Sequence, residues 1–319
     1  SIFESDPALE VIGEARDGQE GVEKTIRLRP NVVTMDLKMP VMGGLEAIQE
    51  IMEKAPTAII VVSSLDVAVI VRALGVGAMD FVPLTGADET IAEEITEKVK
   101  IASKVRPLRH IRIQPFSWKS IGGFAPVSQK VVVVGVSTGG PQALQVIFSQ
   151  LPRDFPASIL VVQHMAAGFV GGLAEFLQGV SSLPIRIAKA GDAIAPGAVF
   201  FAPDGLNMGI DSDGKIFLKE DLSRKNFFIP SIDFLMESAA KQYQQDVIGV
   251  LLTGMGKDGV EGIGHVHRYG GITIAQDEES SVIFGMNKLA IEKGYIDNVV
   301  PLKQIHEEMI RAVGFVHKG

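Results

Sequence analysis

Short runs rich in valine and isoleucine alternate with helical patterns along this whole chain, and that alternation restricts it to α/β architectures built on parallel sheets. In the first third the runs are "LEVIGEA", "NVVTMD", "AIIVVSS" and "AMDFV", and "GLEAIQEIMEKA" between them carries apolar positions at three- and four-residue spacing. From Lys130 the alternation resumes with "VVVVGV", "SILVVQH", "PIRIAKA", "AVFFAP", "KIFLK", "DVIGVLLTG" and "GITIAQD". Helical patterns there cover "PQALQVIFSQL", "SIDFLMESAAKQY", "DGVEGIGHVHRY" and "LKQIHEEMIRAV". "IDSDGKIFL" reads as a hairpin turning at Asp213 and Gly214, which adds a mixed edge to a mostly parallel sheet.

Between the two series, "KVRPLRHIRIQPFSWKSIGGFAPVSQK" is basic, contains prolines and lacks periodicity, the composition of a linker. The expected organisation is two doubly wound, mostly parallel sheet domains at 1–104 and 129–319, joined by a linker at 105–128. A length of 319 residues with 46% hydrophobic content suffices for two cores.

Composition narrows the function classes. A formal net charge of −8 offers no basic field to a nucleic-acid backbone or an anionic membrane, so small molecules and proteins are the expected partners. The absence of cysteine excludes disulfides, a thiolate zinc site and a thiol nucleophile. Two uncharged stretches, Val131 to Pro152 and Phe155 to Ala174, reach membrane-spanning length. Their internal Gly, Pro, Ser, Gln and His mark each as a buried strand plus a helix start, so no membrane insertion is expected. The opening "SIFESDPALEV" lacks a basic region followed by an apolar core, so the cytoplasm is the expected compartment.

Ligands of open α/β sheets bind beyond the carboxyl ends of the strands. Three polar residues stand there in the second half: Ser137 after "VVVVGV", His164 ending "SILVVQH", and Asp258 just past "VIGVLLTG". Together they are the residue types of an acyl-transfer triad. Singly, each has a plainer reading: an isolated G-x-S-x-G, a hydrogen-bonded structural histidine, and a helix N-cap ahead of "GVEGIG". A phosphate cradle fails on detail, because a Walker loop needs Lys then Ser/Thr where this chain has Pro141 and Gln142, and dinucleotide spacing is missing. Gly135, Gly139, Gly140 and Pro141 instead suit a tight strand-to-helix turn that presents Ser137 near a helix N-terminus. The chain order Ser, His, Asp differs from that of α/β-hydrolases. His265 and His267 do not share a helix face and lack a matching third metal ligand.

The motifs "GVSTGGP", "VVQHM", "LLTGMGKDG" and "GGITIAQDEESSVIFGMNK" resemble, in order, those of the chemotaxis protein-glutamate methylesterase (CheB) family. "NVVTMDLKMPVMGGLEAI", "VVSSL" and "ALGVGAMDFV" resemble that family's response-regulator receiver module. The resemblance implies a partial, flavodoxin-like receiver domain over 1–104 and a larger Rossmann-like methylesterase domain over 129–319. It implies hydrolysis of glutamate γ-methyl esters, and deamidation of some glutamines, on chemoreceptor cytoplasmic domains. Ser137 is then the nucleophile, His164 the general base and acid, and Asp258 the orienting carboxylate, with no cofactor needed for catalysis. The Met255 backbone N–H resembles the oxyanion donor, and the Thr138 N–H is a second candidate. "QDEESS" resembles a segment near the cleft, and "FAPDGLNM" a family loop without an assigned role.

In the receiver, Asp36 resembles the phosphoacceptor and Ser63 the switch hydroxyl. This implies Mg²⁺-assisted phosphorylation by the chemotaxis histidine kinase, and in the family the receiver covers the esterase cleft until that happens. Two departures count against it here. "SIFESDPALEV" resembles the family only from the end of its first helix, so the first strand and the acidic pair for Mg²⁺ are not expected, and no intact metal site remains. Leu84 stands where a receiver carries a lysine.

Overall fold

The structure, a computed structural model, describes residues 3, 6–64, 66–84, 88–105, 130–221 and 228–314. The chain divides into two compact units, Ser1–Arg112 and Ile113–Gly319. Apart from Val105, the linker expected at 105–128 lies outside the described residues.

The first unit runs α1 (Gly18–Leu28), β1 (Val32–Met35), α2 (Gly44–Lys54), β2 (Ala58–Ser63), α3 (Val67–Val76), β3 (Asp80–Pro83) and α4 (Asp88–Ala102). Its three strands form one parallel sheet in the order β1-β2-β3. β2 is the middle strand and its "AIIVVS" is apolar on both faces, as a strand covered on both sides must be. Asp17 and Asp66 cap α1 and α3 through their side chains, which starts each helix where the apolar periodicity begins. The strand expected at "LEVIGEA" does not form. Val11 and Ile12 are 38% and 46% exposed, and no described strand lies beside them to accept a ladder. Strand propensity without a pairing partner does not make a strand.

The second unit contains β4 (Val131–Val136), α5 (Gly140–Phe148), β5 (Ser158–Gln163), α6 (Val170–Gln178), β6 (Ile185–Ile187), β7 (Val199–Phe201), β8 (Asn207–Ile210), β9 (Ile216–Lys219) and α7 (Ile232–Tyr243). It continues with β10 (Val247–Leu251), α8 (Val260–Arg268), β11 (Ile272–Gln276), α9 (Met286–Glu292), β12 (Asn298–Val300) and α10 (Leu302–Ala312). Seven strands form one sheet, ordered β12-β11-β10-β4-β5-β7-β6, in which every neighbouring pair is parallel. The hairpin turns where expected, with Gly214 at φ 72°, but β8 and β9 form a separate antiparallel ribbon rather than an edge of the main sheet. β6 already occupies the place beside β7, and β8 packs on α7 instead. Both uncharged stretches resolve into a strand followed by a helix, and no helix among the described residues is long and apolar enough to cross a membrane.

The topology places the site. From β4 the chain moves to β5 on one side and later returns to lay β10 on the other, so β4 lies at the switch point where an open sheet leaves a crevice beyond its carboxyl ends. Gly135 brings a helix to that point. A Cβ there would lie 2.2 Å from Ile232 Cγ2, so only glycine lets the first turn of α7 rest against β4.

Candidate active site

Ser137 follows directly on β4, and Gly139, at φ 80°, turns the chain so that α5 starts at Gly140 with Pro141 in its first turn. The turn is held from three sides. The Ser137 N–H donates to Thr253 O at 3.1 Å, Gln163 Nε2 donates to Ser137 O at 2.9 Å, and Thr253 Oγ1 donates to Thr138 O at 3.0 Å. The parallel register pairs Val136 with Gln163, so Ser137 and His164 stand opposite one another one residue further on, with backbones about 5 Å apart. Ser137 is 7% exposed.

His164 Nε2 lies 2.8 Å from Asp258 Oδ2, and the imidazole is almost wholly buried. Its Nδ1 is buried and has no hydrogen-bond partner among the described residues. Asp258 precedes α8, yet the helix its side chain caps is α7. Oδ1 accepts from Ser231 Oγ at 2.9 Å and the Asp233 N–H at 3.0 Å, and Oδ2 accepts from the Ile232 N–H at 2.8 Å. Burial pushes this carboxyl up, but the His164 hydrogen bond and the α7 backbone donors outweigh it and hold Asp258 below the usual carboxylate range. It is therefore ionised at neutral pH, which fixes the imidazole with Nε2–H donating. Neighbouring Asp233 goes the other way: burial, reinforced by the Asp258 charge against backbone bonds from Gly262 and Gly259, pushes it up to about 6.

Beyond β10, Gly254 abuts the elbow, since a Cβ there would lie 2.7 Å from Ser137 Cβ. Met255, the next residue, has an exposed side chain, and neither its N–H nor that of Thr138 donates to a protein acceptor among the described residues. The motif "SVIFGMNK" braces this loop: the Gly254 N–H donates to Ile283 O at 2.9 Å, the Gly285 N–H to Gly254 O at 3.2 Å, and the Ile283 N–H to Thr253 Oγ1 at 2.9 Å. Gln276 Oε1 adds a bond from the Thr253 N–H at 2.9 Å. "FAPDGLNM" braces two further parts, as Asn207 Oδ1 accepts from the Ser231 N–H at 2.8 Å and Asp204 Oδ2 from the Gly168 N–H at 3.0 Å.

Sequence reasoning missed Gln163, Ser231, Asp233 and Phe228. The Phe228 ring stacks on His164 with centroids 4.4 Å apart and planes 8° from parallel. The one available signal was serial position: Gln163 ends a strand and Ser231 precedes a helical pattern. His267 Nδ1 lies 3.5 Å from Asp297 Oδ1 on the surface of α8.

In the first unit, Ser63 Oγ donates to Asp36 Oδ1 at 3.2 Å, and the Lys38 N–H donates to the same oxygen at 3.1 Å. Leu84 is exposed beyond β3, with its N–H on Ser63 O. Among the described residues no group of three or more His, Cys, Asp or Glu side chains is placed to hold a metal ion.

A family model described as CheB methylesterase matches residues 132–309, and one described as response regulator receiver domain matches residues 1–96. The chain is 43% identical to the protein-glutamate methylesterase/protein-glutamine glutaminase of Thermotoga maritima, over 98% of this chain and 93% of that one. It is 39% identical to the protein of the same name from Pyrococcus abyssi, over 100% of this chain and 90% of that one. The crystal structure of the Thermotoga maritima CheB methylesterase catalytic domain superposes with a TM-score of 0.56 at 44% identity, covering 58% of this chain and 99% of that one. With a parallel α/β fold, a receiver domain and a methylesterase domain in that order, the chain belongs to the CheB methylesterase family.

Proposed function

We propose that this chain hydrolyses glutamate γ-methyl esters, and deamidates glutamines, on the cytoplasmic domains of chemoreceptors through a Ser137 acyl-enzyme. The observation that carries the reading is the His164 to Asp258 contact of 2.8 Å set one register step from Ser137, with Nδ1 buried and unpartnered. Because Nε2 belongs to Asp258, Nδ1 is the atom left to take the Ser137 Oγ proton. The two ring nitrogens thus exchange the roles they have in the common Ser-His-Asp template, while the triad logic is unchanged.

Ser137 Oγ attacks the ester carbonyl as Nδ1 removes its proton. The tetrahedral oxyanion faces the free N–H groups of Met255 and Thr138, and the bond to methoxide breaks as Nδ1 returns the proton, releasing methanol. Water then enters and attacks the acyl carbonyl as Nδ1 takes one of its protons; the bond from the carbonyl carbon to Ser137 Oγ breaks as Nδ1 passes that proton to Oγ, giving the glutamate carboxyl and the free Ser137 hydroxyl. With a glutamine side chain the same sequence releases ammonia. Asp258 stays ionised throughout, because four hydrogen bonds hold its charge.

The receiver unit carries Asp36 at the phosphoacceptor position with Ser63 beside it and a histidine kinase as the phosphodonor in this reading, but Leu84 stands where the resemblance implies a lysine, so Asp36 is phosphorylated poorly and phosphoryl control of the esterase is weak. The test is methanol release from methylated receptor beside release from small soluble methyl esters, together with fluorophosphonate labelling. Receptor turnover and a label on Ser137 support the proposal. Equal use of small esters points to a hydrolase of soluble substrates, and failure to label Ser137 points to a catalytically silent binding regulator.

A further inference from the structure

Two helices of the catalytic unit cap each other across the catalytic carboxylate. Asp258, from the loop before α8, accepts from the Ile232 and Asp233 N–H groups and the Ser231 hydroxyl at the start of α7. Asp233, from the first turn of α7, answers by accepting at Oδ1 from the Gly259 N–H at 2.8 Å and the Gly262 N–H at 2.6 Å at the start of α8. Each carboxylate satisfies amides that the other helix leaves without partners. We propose that Asp233 is a positioning residue for catalysis: by exchanging caps with Asp258 it locks the α7 and α8 N-termini together, and so holds Asp258 in line with His164 and the Met255 loop against Ser137.

The contact leaves no slack. A Cβ on Gly262 would lie 2.7 Å from Asp233 Cα and 3.0 Å from Asp233 O, so the helices meet backbone to backbone at this point. Gly259 follows Asp258 immediately, and Met255 lies three residues ahead, so a shift of the α8 start moves the orienting carboxylate and the oxyanion loop together. Holding Asp233 here also carries a cost, because a second carboxylate beside Asp258 is electrostatically unfavourable. Nothing in the Ser137 chemistry uses Asp233 directly: its Oδ1 accepts from the α8 start, and its N–H donates to Asp258. Its part in catalysis is therefore geometric.

The proposal rests on the triad reading, and the whole chain tests both. Asp233→Asn keeps an oxygen acceptor at Oδ1 and loses the charge. Asp233→Glu keeps the charge and pushes the acceptor one methylene into a contact without room. The lock predicts that Asp233→Asn stays within about 3-fold of the wild-type kcat. Asp233→Glu loses at least about 10-fold in kcat with KM little changed, as misplacement of catalytic groups does. Asp233→Ser, whose side chain is too short to reach both amides, carries the same expectation and replaces the glutamate if that variant does not fold. Wild-type kcat in the Glu or Ser variant, equal loss in the Asn variant, or a loss confined to KM overturns the lock. Ser137→Ala, assayed alongside, separates the two levels: if it remains active the triad reading fails, and if it is inert while Asp233→Glu is fully active, only the lock fails.

Discussion

Gln163 Nε2 donates to the carbonyl of Ser137 at 2.9 Å and to that of His164 at 2.8 Å, so one buried amide ties the two residues together. Gln163→Leu removes both bonds: the His164 carbonyl loses this donor, while the Ser137 carbonyl keeps the Gly140 N–H at 2.9 Å. A loss of about 1–3 kcal/mol is expected in stability, and up to about 100-fold in kcat through misplacement of Ser137 against His164. Thermal melts and methanol-release kinetics check this, and a variant with unchanged Tm and kcat contradicts it.

The two carboxylates at the α7 start give stability opposite dependences on pH. Asp258 lies below its ordinary value of 3.8, so its contribution is present above that value and is lost as pH falls through its folded pKa. Asp233 is raised from 3.8 to about 6, so its ionisation costs stability progressively as pH rises between those values. The titratable groups on the elements packed against α7 are Glu261, His265, His267 and Arg268 on α8, Asp258 ahead of it and Asp246 in the turn after α7, and Lys293 after α9 also acts on Asp233; β4, β5, β8 and β10 carry no titratable side chain. Asp233→Asn is accordingly expected to raise Tm at pH 8 and to lose that advantage as the pH is lowered past 6 toward 3.8. A Tm difference that does not change with pH contradicts the assignment.

Phe228 lies flat on His164 and is otherwise largely exposed. Removing the ring in Phe228→Ala opens one face of the imidazole to water and deletes a stacking contact of about 0.5–1.5 kcal/mol, which corresponds to roughly 2- to 10-fold in kcat/KM. Steady-state kinetics on methylated receptor read this directly. No change in kcat/KM shows that the stack is incidental.

At the receiver, Asp36 has Ser63 beside it, but Leu84 stands where the resemblance implies a lysine. Incubation with acetyl phosphate and Mg²⁺ is expected to leave Asp36 with little phosphoryl label. Rapid, stoichiometric labelling that disappears in Asp36→Asn contradicts this.

The parts of the fold legible in the sequence were those encoded locally. "VVVVGV" and "SILVVQ" announce buried parallel strands by their own composition, and Ser137 and His164 are visible because they end those strands. Asp258 was visible as a cap but assigned to the following helix. It caps α7 instead, because a side-chain oxygen satisfies whichever helix start the sheet topology brings near, and nothing in "KDGVEGIG" encodes Gly135 admitting Ile232. Asp233 was hidden for the same reason, and Gln163 because a glutamine ending an apolar strand does not reveal which carbonyls it will meet. "LEVIGEA" failed as a strand because pairing is decided by a neighbour, and that neighbour is a matter of the sheet, not of the segment. β12 is not legible because "NVV" is too short to show a period.

The central claim is that Ser137, served by His164 held on Asp258, is the nucleophile, and Ser137→Ala measures it most directly. Methanol release from methylated receptor by the folded whole chain is predicted to fall by at least about 1,000-fold, the scale on which loss of a triad member acts. Release near the wild-type rate from that variant would contradict the account.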